Sequence, residues 1–410
     1  MQANPWASEW VLENLEQVAQ CSREQAGTSR RTVSNAGQQV RCFITELMHD
    51  LGLVVHTDAA GNMIGRCEPA GSQAALPAVM TGSQLDAIPV AGNYDGIVGV
   101  LCSLAAVKTL RERGAGKHPL EVVVFAGEAP GHCNLANLGS KAMAGLVSEQ
   151  AWKRSKEQAD PAEAAALAPD FAQIRSAARP KNSIKAFLAL HTEQGRILEQ
   201  GRVNIGIVEN IAAPTRLKMT VNGLAGPAGG ILLAERQDAL VSAAMIVLAV
   251  RNIAAEHDYQ GTVATVTTLK TYPGTPALIP AVVEMWVEIN GTKHESIIAI
   301  LQAIKDEVSM IADDHDTPVA IEVISSEKPF MLDQTIVSTL ESVCQGLKLS
   351  SLRLDDRIGY DVVNMAHLAP AGLILIPGGE TAGNGSRRAA QAAIGAGVDV
   401  LTAMLQQLAK

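Results

Sequence analysis

The sequence predicts an α/β protein with an inserted α+β domain, and three observations support this fold class. The chain has 410 residues, more than the ~250–300 residues that one hydrophobic core usually serves. Apolar strand-like runs alternate with amphipathic helical runs in both terminal parts, as in a buried sheet with helices on its faces. Residues 213–326 change to a different pattern. We therefore predict one large domain from residues 1–212 and 327–410, interrupted by a smaller domain from residues 213–326.

The first part of the chain reads as a helix followed by strands. Residues 37–52 place Val40, Ile44 and Met48 at helical spacing. Two strand-like runs joined by a turn with Gly61 and Asn62 follow. Next come a strand in "LPAVMTGSQLD", a helix in "GIVGVLCSLAAVKTLRER" and a strand in "PLEVVVFAGE". This alternation predicts a central, mostly parallel sheet flanked by helices.

Three polar phrases stand directly after predicted strands. They are "GSQLDA", "GEAPGHCN" and "LHTEQG". In open α/β sheets, ligands bind outside the carboxyl ends of the strands. We therefore expect the functional site where these three phrases meet.

The inserted segment alternates apolar and polar residues, as half-buried antiparallel strands do. The strand-like runs are "RLKMTVNG", "GTVATVTTLKT" and "AVVEMWVEING", with helices near residues 235–255 and 295–312. After it the chain returns to the first pattern, with a helix near 334–344, the strand "GLILIP" and a closing helix from about residue 387.

Composition excludes several classes of partner. The formal net charge is -9 and no Lys/Arg-rich stripe stands out, so we predict no nucleic-acid partner. The apolar runs look far shorter than the ~20 residues that cross a bilayer, and the polar N-terminus is unlike a secretion signal. Six cysteines occur without a CxxC pair. We therefore expect a cytoplasmic protein that does not bind membranes.

Several phrases, in order along nearly the whole chain, resemble the M20 metallopeptidase-like amidohydrolases. The phrases are "LGLVVHTDAAGNMIGR", "TGSQLDAIPVAGNYDGIVGV", "LGSKAMAG", "LHTEQGRILE", "ERQDAL" and "GYDVVNMAHLAPAGLILIP". The resemblance is to the branch with N-carbamoyl-L-amino acid hydrolase, β-ureidopropionase and allantoate amidohydrolase. It implies a catalytic α/β domain, a lid domain that also dimerises, and a two-metal site in the cleft.

The implied metal ligands match this sequence only in part. Asp95 and His191 match two of the five ligands, whereas Gln84, Ala129 and, near the last position, Asn384 stand where the other three would be. A catalytic Zn²⁺ normally has three protein ligands, and a neutral amide oxygen is a poor substitute for imidazole. We therefore expect no cofactor, or at most one weakly held divalent metal ion.

Loss of the metals leads to our first functional hypothesis. Glu128, which matches the family's general base, would face Asp95 and Asp86 without the dications that balance their charges. Like charges in a cleft disfavour simultaneous ionisation, so one carboxyl should keep its proton near neutral pH. With His191 beside it, this set predicts metal-independent acid/base catalysis by Glu128, Asp95 and His191. The reaction would be an elimination, isomerisation, cyclisation or related rearrangement of a small amino-acid-derived or nitrogen-rich substrate.

A second set of residues is predicted to bind the substrate. Tyr360 replaces the His of the family's "GHD" phrase, and Arg236 matches a lid position where it either contacts substrate or joins Asp238 in an ion pair or helix cap. The full set is Gln84, Asp86, Glu193, Gln194, Tyr360, Asn384 and Arg236.

Other interpretations stay open at this stage. The protein could be an amidohydrolase of C–N bonds with an unorthodox single-metal site, or a non-catalytic protein that binds a small molecule. Asp95, followed by Gly96, could serve only as a turn residue or helix cap. The resemblance implies a homodimer through the lid, and the alternative is a monomer with short, charged edge strands.

Overall fold

The structure is a computed structural model that describes most of the chain. The described residues exclude 1–4, 22, 25–26, 29–33, 70–75, 86–95, 115, 128–136, 159–169, 258–260, 357–360 and 379–386. The chain forms two compact units. Unit 1 comprises Met1–Glu209, Leu332–Leu354 and Tyr360–Lys410, and unit 2 comprises Asn210–Met331 and Asp355–Gly359.

The elements of the first part of the chain are, in order, α1 (Pro5–Cys21), β1 (Arg23–Glu24), β2 (Gly27–Thr28), α2 (Asn35–Asp50), β3 (Val54–Thr57), β4 (Met63–Cys67), β5 (Ala78–Gln84), α3 (Ile97–Arg113), β6 (Leu120–Phe125), α4 (Leu138–Met143), α5 (Glu149–Gln158), α6 (Phe171–Ser176), β7 (Ile184–Thr192), α7 (Ile197–Gly201) and β8 (Ile205–Ile211). Then follow β9 (Ala213–Asn222), β10 (Gly226–Pro227), a 3₁₀ turn (Leu233–Glu235), α8 (Ala239–His257), β11 (Thr262–Tyr272), β12 (Leu278–Ile279), β13 (Val282–Gly291), α9 (His294–His315), β14 (Val319–Ser326) and β15 (Phe330–Met331). The last elements are α10 (Gln334–Gly346), β16 (Ser351–Asp356), α11 (Asp361–Met365), β17 (Ala371–Ile376) and α12 (Arg387–Leu408).

The large sheet has nine strands in the order β15-β8-β17-β7-β5-β6-β4-β3, and β16 pairs with β8. Its centre is parallel, because β17 pairs with β7, β7 with β5 and β5 with β6 in the same direction. Antiparallel strands flank this centre, β8 on one side and β4 then β3 on the other. The predicted α/β fold with a mostly parallel central sheet is confirmed.

The central strands are buried along their length, which explains their continuous apolar sequences. All residues of β5, β6 and β17 are buried. Helix α3 packs on β5, β6 and β7 and is buried almost all round, as expected for a helix that is apolar on every side. The predicted helix over 37–52 is α2, with Val40, Ile44 and Met48 buried and Ser34 as its N-cap.

One charged side chain lies inside β6, at its amino end. Glu121 is 1% exposed and pairs with Arg66, at 2.6 Å, and with Arg179, at 3.1 Å. Arg66 stands directly opposite Glu121 on the antiparallel strand β4. The carboxylate is therefore neutralised from two sides, which offsets the cost of burying it.

Unit 2 contains a four-stranded antiparallel sheet in the order β11-β13-β9-β14. Burial alternates along β9 and β13, as the sequence pattern predicts. The buried residues, among them Met219 and Val287, form a core with α8 and α9. This separate antiparallel sheet with two helices confirms the predicted α+β insertion.

Helix α8 is apolar on more than its core face. Ala243, Ile246 and Val250 lie in the core of unit 2, yet the side chain of Leu248 is 58% exposed. By length and composition, Ala239–Glu256 could cross a membrane, and 28% of this stretch is buried. The expectation that every apolar run falls far short of that length is therefore wrong for α8.

Candidate functional site

The carboxyl ends of three central strands lie side by side, as the polar phrases predict. Gln84, the last residue of β5, stands opposite Phe125, the last residue of β6. His191, near the end of β7, stands opposite Leu375 of β17. The parallel register therefore brings "GSQ" and "LHT" to one edge of the sheet.

A buried chain of hydrogen bonds joins two of these strand ends. The Ser83 hydroxyl donates to Gln84 Oε1 at 2.7 Å, and Ser83 Oγ lies 3.1 Å from His191 Nε2. A hydroxyl has one hydrogen, and here it points to the Gln84 amide. The Ser83 hydroxyl therefore links Gln84 of β5 to His191 of β7, and the tautomer of the imidazole sets the direction of the second hydrogen bond.

His191 is a neutral imidazole in this position. It is 2% exposed, and burial lowers its pKa from 6.5 to about 3 because desolvation disfavours the imidazolium. The ring is therefore uncharged at neutral pH.

The Gln84 amide has one satisfied end and one unsatisfied end. Oε1 accepts from Ser83, whereas Nε2 is buried and no acceptor among the described residues lies within hydrogen-bonding distance of it. A buried N–H group without a partner costs about 1–3 kcal/mol. Gly96, with φ +69°, packs against this amide, and a Cβ there would lie 2.7 Å from Nε2. The Gln84 Nε2–H group is therefore a buried donor whose acceptor is not among the described residues.

Glu193 is also buried, but its carboxylate is occupied by a helix. Oε1 accepts from Ile197 N at 2.7 Å and Oε2 from Leu198 N at 2.9 Å, so the side chain caps α7. The next residue, Gln194, is exposed. The predicted substrate contacts of Glu193 and Gln194 stay predictions.

Arg236 lies in unit 2, where its side chain forms hydrogen bonds within the loop that precedes it. Its guanidinium donates to the carbonyl oxygens of Ile231 and Ala228. Asp238 accepts from Leu240 N at 3.0 Å at the start of α8. The cap interpretation is right for Asp238, whereas Arg236 bonds to backbone carbonyls.

The remaining predicted residues lie outside the described part of the chain. They are Asp86, Asp95, Glu128, Tyr360 and Asn384. Their roles stay predictions.

Sequence reasoning missed Ser83, which orients the Gln84 amide. The available signal was its position inside a fully buried strand, because a buried hydroxyl requires a partner. The partner, His191, lies on a different strand, 108 residues further along the chain.

The structure describes two of the five implied metal-ligand positions, Gln84 and His191, whereas Asp95, Ala129 and Asn384 lie outside the described residues. Among the described polar groups, the Gln84 oxygen accepts from Ser83, and both Glu193 oxygens accept from α7. Within the described ranges, no group of three His, Cys, Asp or Glu residues could hold a metal ion. The expectation of no cofactor, or at most one weakly held divalent metal ion, stays a prediction.

A parallel-centred sheet with polar strand ends, together with a separate antiparallel-sheet domain, defines a class of two-domain α/β enzymes. The chain belongs to Peptidase family M20/M25/M40, whose family model matches residues 87–407.

Relatives with named activities match over most of their length. A ureidoglycolate hydrolase of Oryza sativa subsp. japonica is 32% identical over 381 residues, covering 90% of this chain and 78% of that protein. An N-carbamoyl-L-amino acid amidohydrolase of Geobacillus stearothermophilus is 32% identical over 355 residues, covering 85% of each. The crystal structure of AtUAH in complex with glyoxylate superposes with a TM-score of 0.85 at 29% identity, covering 98% of this chain and 97% of that one.

These relatives overturn the first functional hypothesis. They are named as hydrolases of ureido and carbamoyl compounds, so the prediction of a metal-independent elimination, isomerisation or cyclisation is wrong. The hypothesis assumed that Asp86, Asp95 and Glu128 share protons, and all three lie outside the described residues. What the strand ends do show is a neutral imidazole and a neutral amide.

Proposed function

We propose that the protein hydrolyses a C–N bond of a small, nitrogen-rich ureido or carbamoyl compound. The observation that carries this proposal is the 32% identity over 381 residues with a ureidoglycolate hydrolase. Compounds of this class combine a ureido carbonyl with a carboxylate. Both groups are hydrogen-bond acceptors.

Gln84 is the described residue best suited to such a substrate. Its Nε2–H lacks an acceptor within the described part of the chain, and Ser83 and His191 hold the amide in place. An oxygen of the ureido or carboxylate group would satisfy this donor. A preorganised donor of this kind gives binding without further reorganisation.

Roles for the other predicted residues belong to the same proposal. Glu128 takes a proton from the water that attacks the carbonyl carbon, and the departing nitrogen receives a proton as the C–N bond breaks. Asp95 and Asp86 support this site, and His191 acts as a neutral positioning group. The proposed substrate contacts are Gln84, Asp86, Glu193, Gln194, Tyr360, Asn384 and Arg236.

A direct assay tests the activity. The purified protein is incubated with ureidoglycolate, allantoate and a panel of N-carbamoyl-L-amino acids, and the released ammonium and glyoxylate are measured. We expect turnover of at least one compound and a loss of at least 10²-fold in the Glu128→Gln variant. Binding of a panel compound without turnover, or unchanged turnover in Glu128→Gln, would contradict the proposal.

The metal content is a separate proposal. We propose at most one weakly held divalent ion per chain, because Gln84, Ala129 and, near the last position, Asn384 stand at three of the five implied ligand positions. Elemental analysis of protein purified without chelator should give no more than one equivalent. Two equivalents would contradict this proposal, and Gln84→His should raise the metal content if position 84 faces the ion.

We further propose a homodimer formed through unit 2. Leu240, Val241, Met245 and Leu248 of α8 are 38–58% exposed, and such apolar surface is typical of an interaction site. Light scattering after size-exclusion chromatography should give twice the chain mass, and Leu248→Glu should shift it toward the monomer. A monomeric wild-type protein would contradict the dimer.

From the cysteine pattern alone, we propose a cytoplasmic location.

A further inference from the structure

A second buried polar network surrounds the first turn of α4. Asn62 is fully buried in the turn between β3 and β4. Its Nδ2 donates to Asp58 Oδ2 at 2.7 Å and to Gly139 O at 3.0 Å. Its Oδ1 accepts from Ala126 N at 3.0 Å, just beyond the end of β6. One side chain thus joins three separate segments.

Backbone hydrogen bonds also join the end of β6 to the first turn of α4. Leu138 N donates to Gly127 O at 3.1 Å, and Gly139 N donates to Ala126 O at 2.9 Å. A Cβ on Gly139 would lie 2.0 Å from Asn62 Oδ1, so only glycine permits this approach. Residues 126–127 and 138–139 are therefore held together at the two ends of the segment that begins with Glu128.

A second set of contacts holds α4 from another element. Ser140 Oγ and Asn137 Nδ2 both donate to Asp361 Oδ1, at the first residue of α11. Asn364 Nδ2 donates to Ser140 Oγ at 2.9 Å. Asp361 and Asn364 are 3% and 8% exposed. Asp361 directly follows Tyr360 in the sequence, so this contact fixes the chain at the end of a second segment with a predicted site residue.

We propose that Asn62 and Asp361 are positioning residues that act through the first turn of α4 on the chain leaving β6 and the chain entering α11. This inference rests on the proposed hydrolase function, because Glu128 and Tyr360 are the residues that the positioning would serve. The hydrogen bonds of residues 126 and 127 hold the chain up to the residue that precedes Glu128 in the sequence. Displacement of a catalytic group by about 1 Å can lower the rate by about 10²-fold.

The test compares Asn62→Ala with Asn14→Ala. Asn14 is 6% exposed and bonds within α1 to Trp10 O, so its removal also deletes a buried amide but leaves α4 intact. We expect kcat of folded Asn62→Ala to fall at least tenfold with KM changed less than threefold, and kcat of Asn14→Ala to stay within twofold. Equal effects on kcat in the two variants would overturn the inference.

Hydrogen exchange supplies a readout that needs no substrate. Exchange at residues 126–127 and 137–140 should accelerate at least tenfold in Asn62→Ala and not in Asn14→Ala.

If Asn62→Ala does not fold, Ser140→Ala replaces it, with faster exchange expected at 361–365 and kcat lowered at least threefold. Unchanged exchange, or faster exchange with unchanged kcat, overturns the positioning role. Failure of the wild type to hydrolyse any panel compound counts against the proposed function and leaves the exchange result to decide whether the network holds these segments.

Discussion

Polar groups are charge-paired at one end of the central sheet and neutral or unsatisfied at the other end. At the amino ends of the strands, the buried Glu121 is paired by two arginines, and the half-buried His118 lies 2.8 Å from Pro77 O and 2.9 Å from Lys185 Nζ. At the carboxyl ends, burial keeps His191 neutral, and the Gln84 amide nitrogen has no acceptor among the described residues.

Under the proposed function, this contrast separates groups that stabilise the fold from groups that would bind the substrate. A paired carboxylate offsets its own desolvation, whereas an unsatisfied donor costs stability until an acceptor arrives. Such a cost is typical of a binding site, where the partner belongs to the ligand. Substitutions at the two ends should therefore affect different properties.

The largest expected effect is on stability, at the amino end. Glu121→Gln keeps the shape but leaves Arg66 and Arg179 without their buried anion, so we expect a loss of roughly 3–5 kcal/mol in the free energy of unfolding. Urea denaturation measures it, and kcat of the folded fraction should not change. The control Glu288→Gln removes a half-exposed partner of Arg216 and should cost at most ~1 kcal/mol. Equal losses would remove the distinction between a buried and a surface pair.

The next effect is on activity, at the carboxyl end. Gln84→Met keeps the side-chain length and removes the unsatisfied donor, so kcat/KM should fall about 10- to 100-fold, as for loss of one or two hydrogen bonds to substrate. The free energy of unfolding should fall by no more than ~1 kcal/mol, because a costly buried N–H group is removed with the bond to Ser83. Gln39→Met, on the exposed side of α2, serves as the control. A large stability loss with unchanged kcat/KM would make Gln84 a structural residue.

The smallest effect is the pH dependence that His191 imposes. The unfolded chain binds a proton near pH 6.5, whereas the folded His191, with its pKa lowered to about 3, does not. Stability should therefore be complete above pH 6.5 and decline as the pH falls toward 3, by up to ~1.4 kcal/mol per pH unit. Between pH 7 and pH 5 the loss is roughly 2 kcal/mol. His191→Gln should show a correspondingly flatter decline, and identical pH profiles for the two proteins would refute the burial of a neutral ring.

The residue patterns predicted the helices and strands, whereas the hydrogen-bond partners of the polar side chains required the structure. Val40, Ile44 and Met48 gave α2 its buried face, and the alternation in "AVVEMWVEING" became β13, because burial periodicity is a local property. Glu193 is predicted to bind substrate, and the structure adds that its two oxygens accept from backbone N–H groups four and five residues further on. The sequence shows that a carboxyl group is present, but not whether a helix terminus has already taken its hydrogen bonds.

By itself, the sequence determined the fold class, the inserted antiparallel domain and the family, since each follows from local periodicity and the order of its phrases. Only the tertiary structure decided the states of the polar groups. The Ser83 hydroxyl is fixed by a strand 108 residues away, and Asn62 meets Ala126 and Gly139 at separations of 64 and 77 residues. Charge state, tautomer and unsatisfied donors depend on neighbours and burial, and neighbours this distant in sequence are set only when the strands assemble.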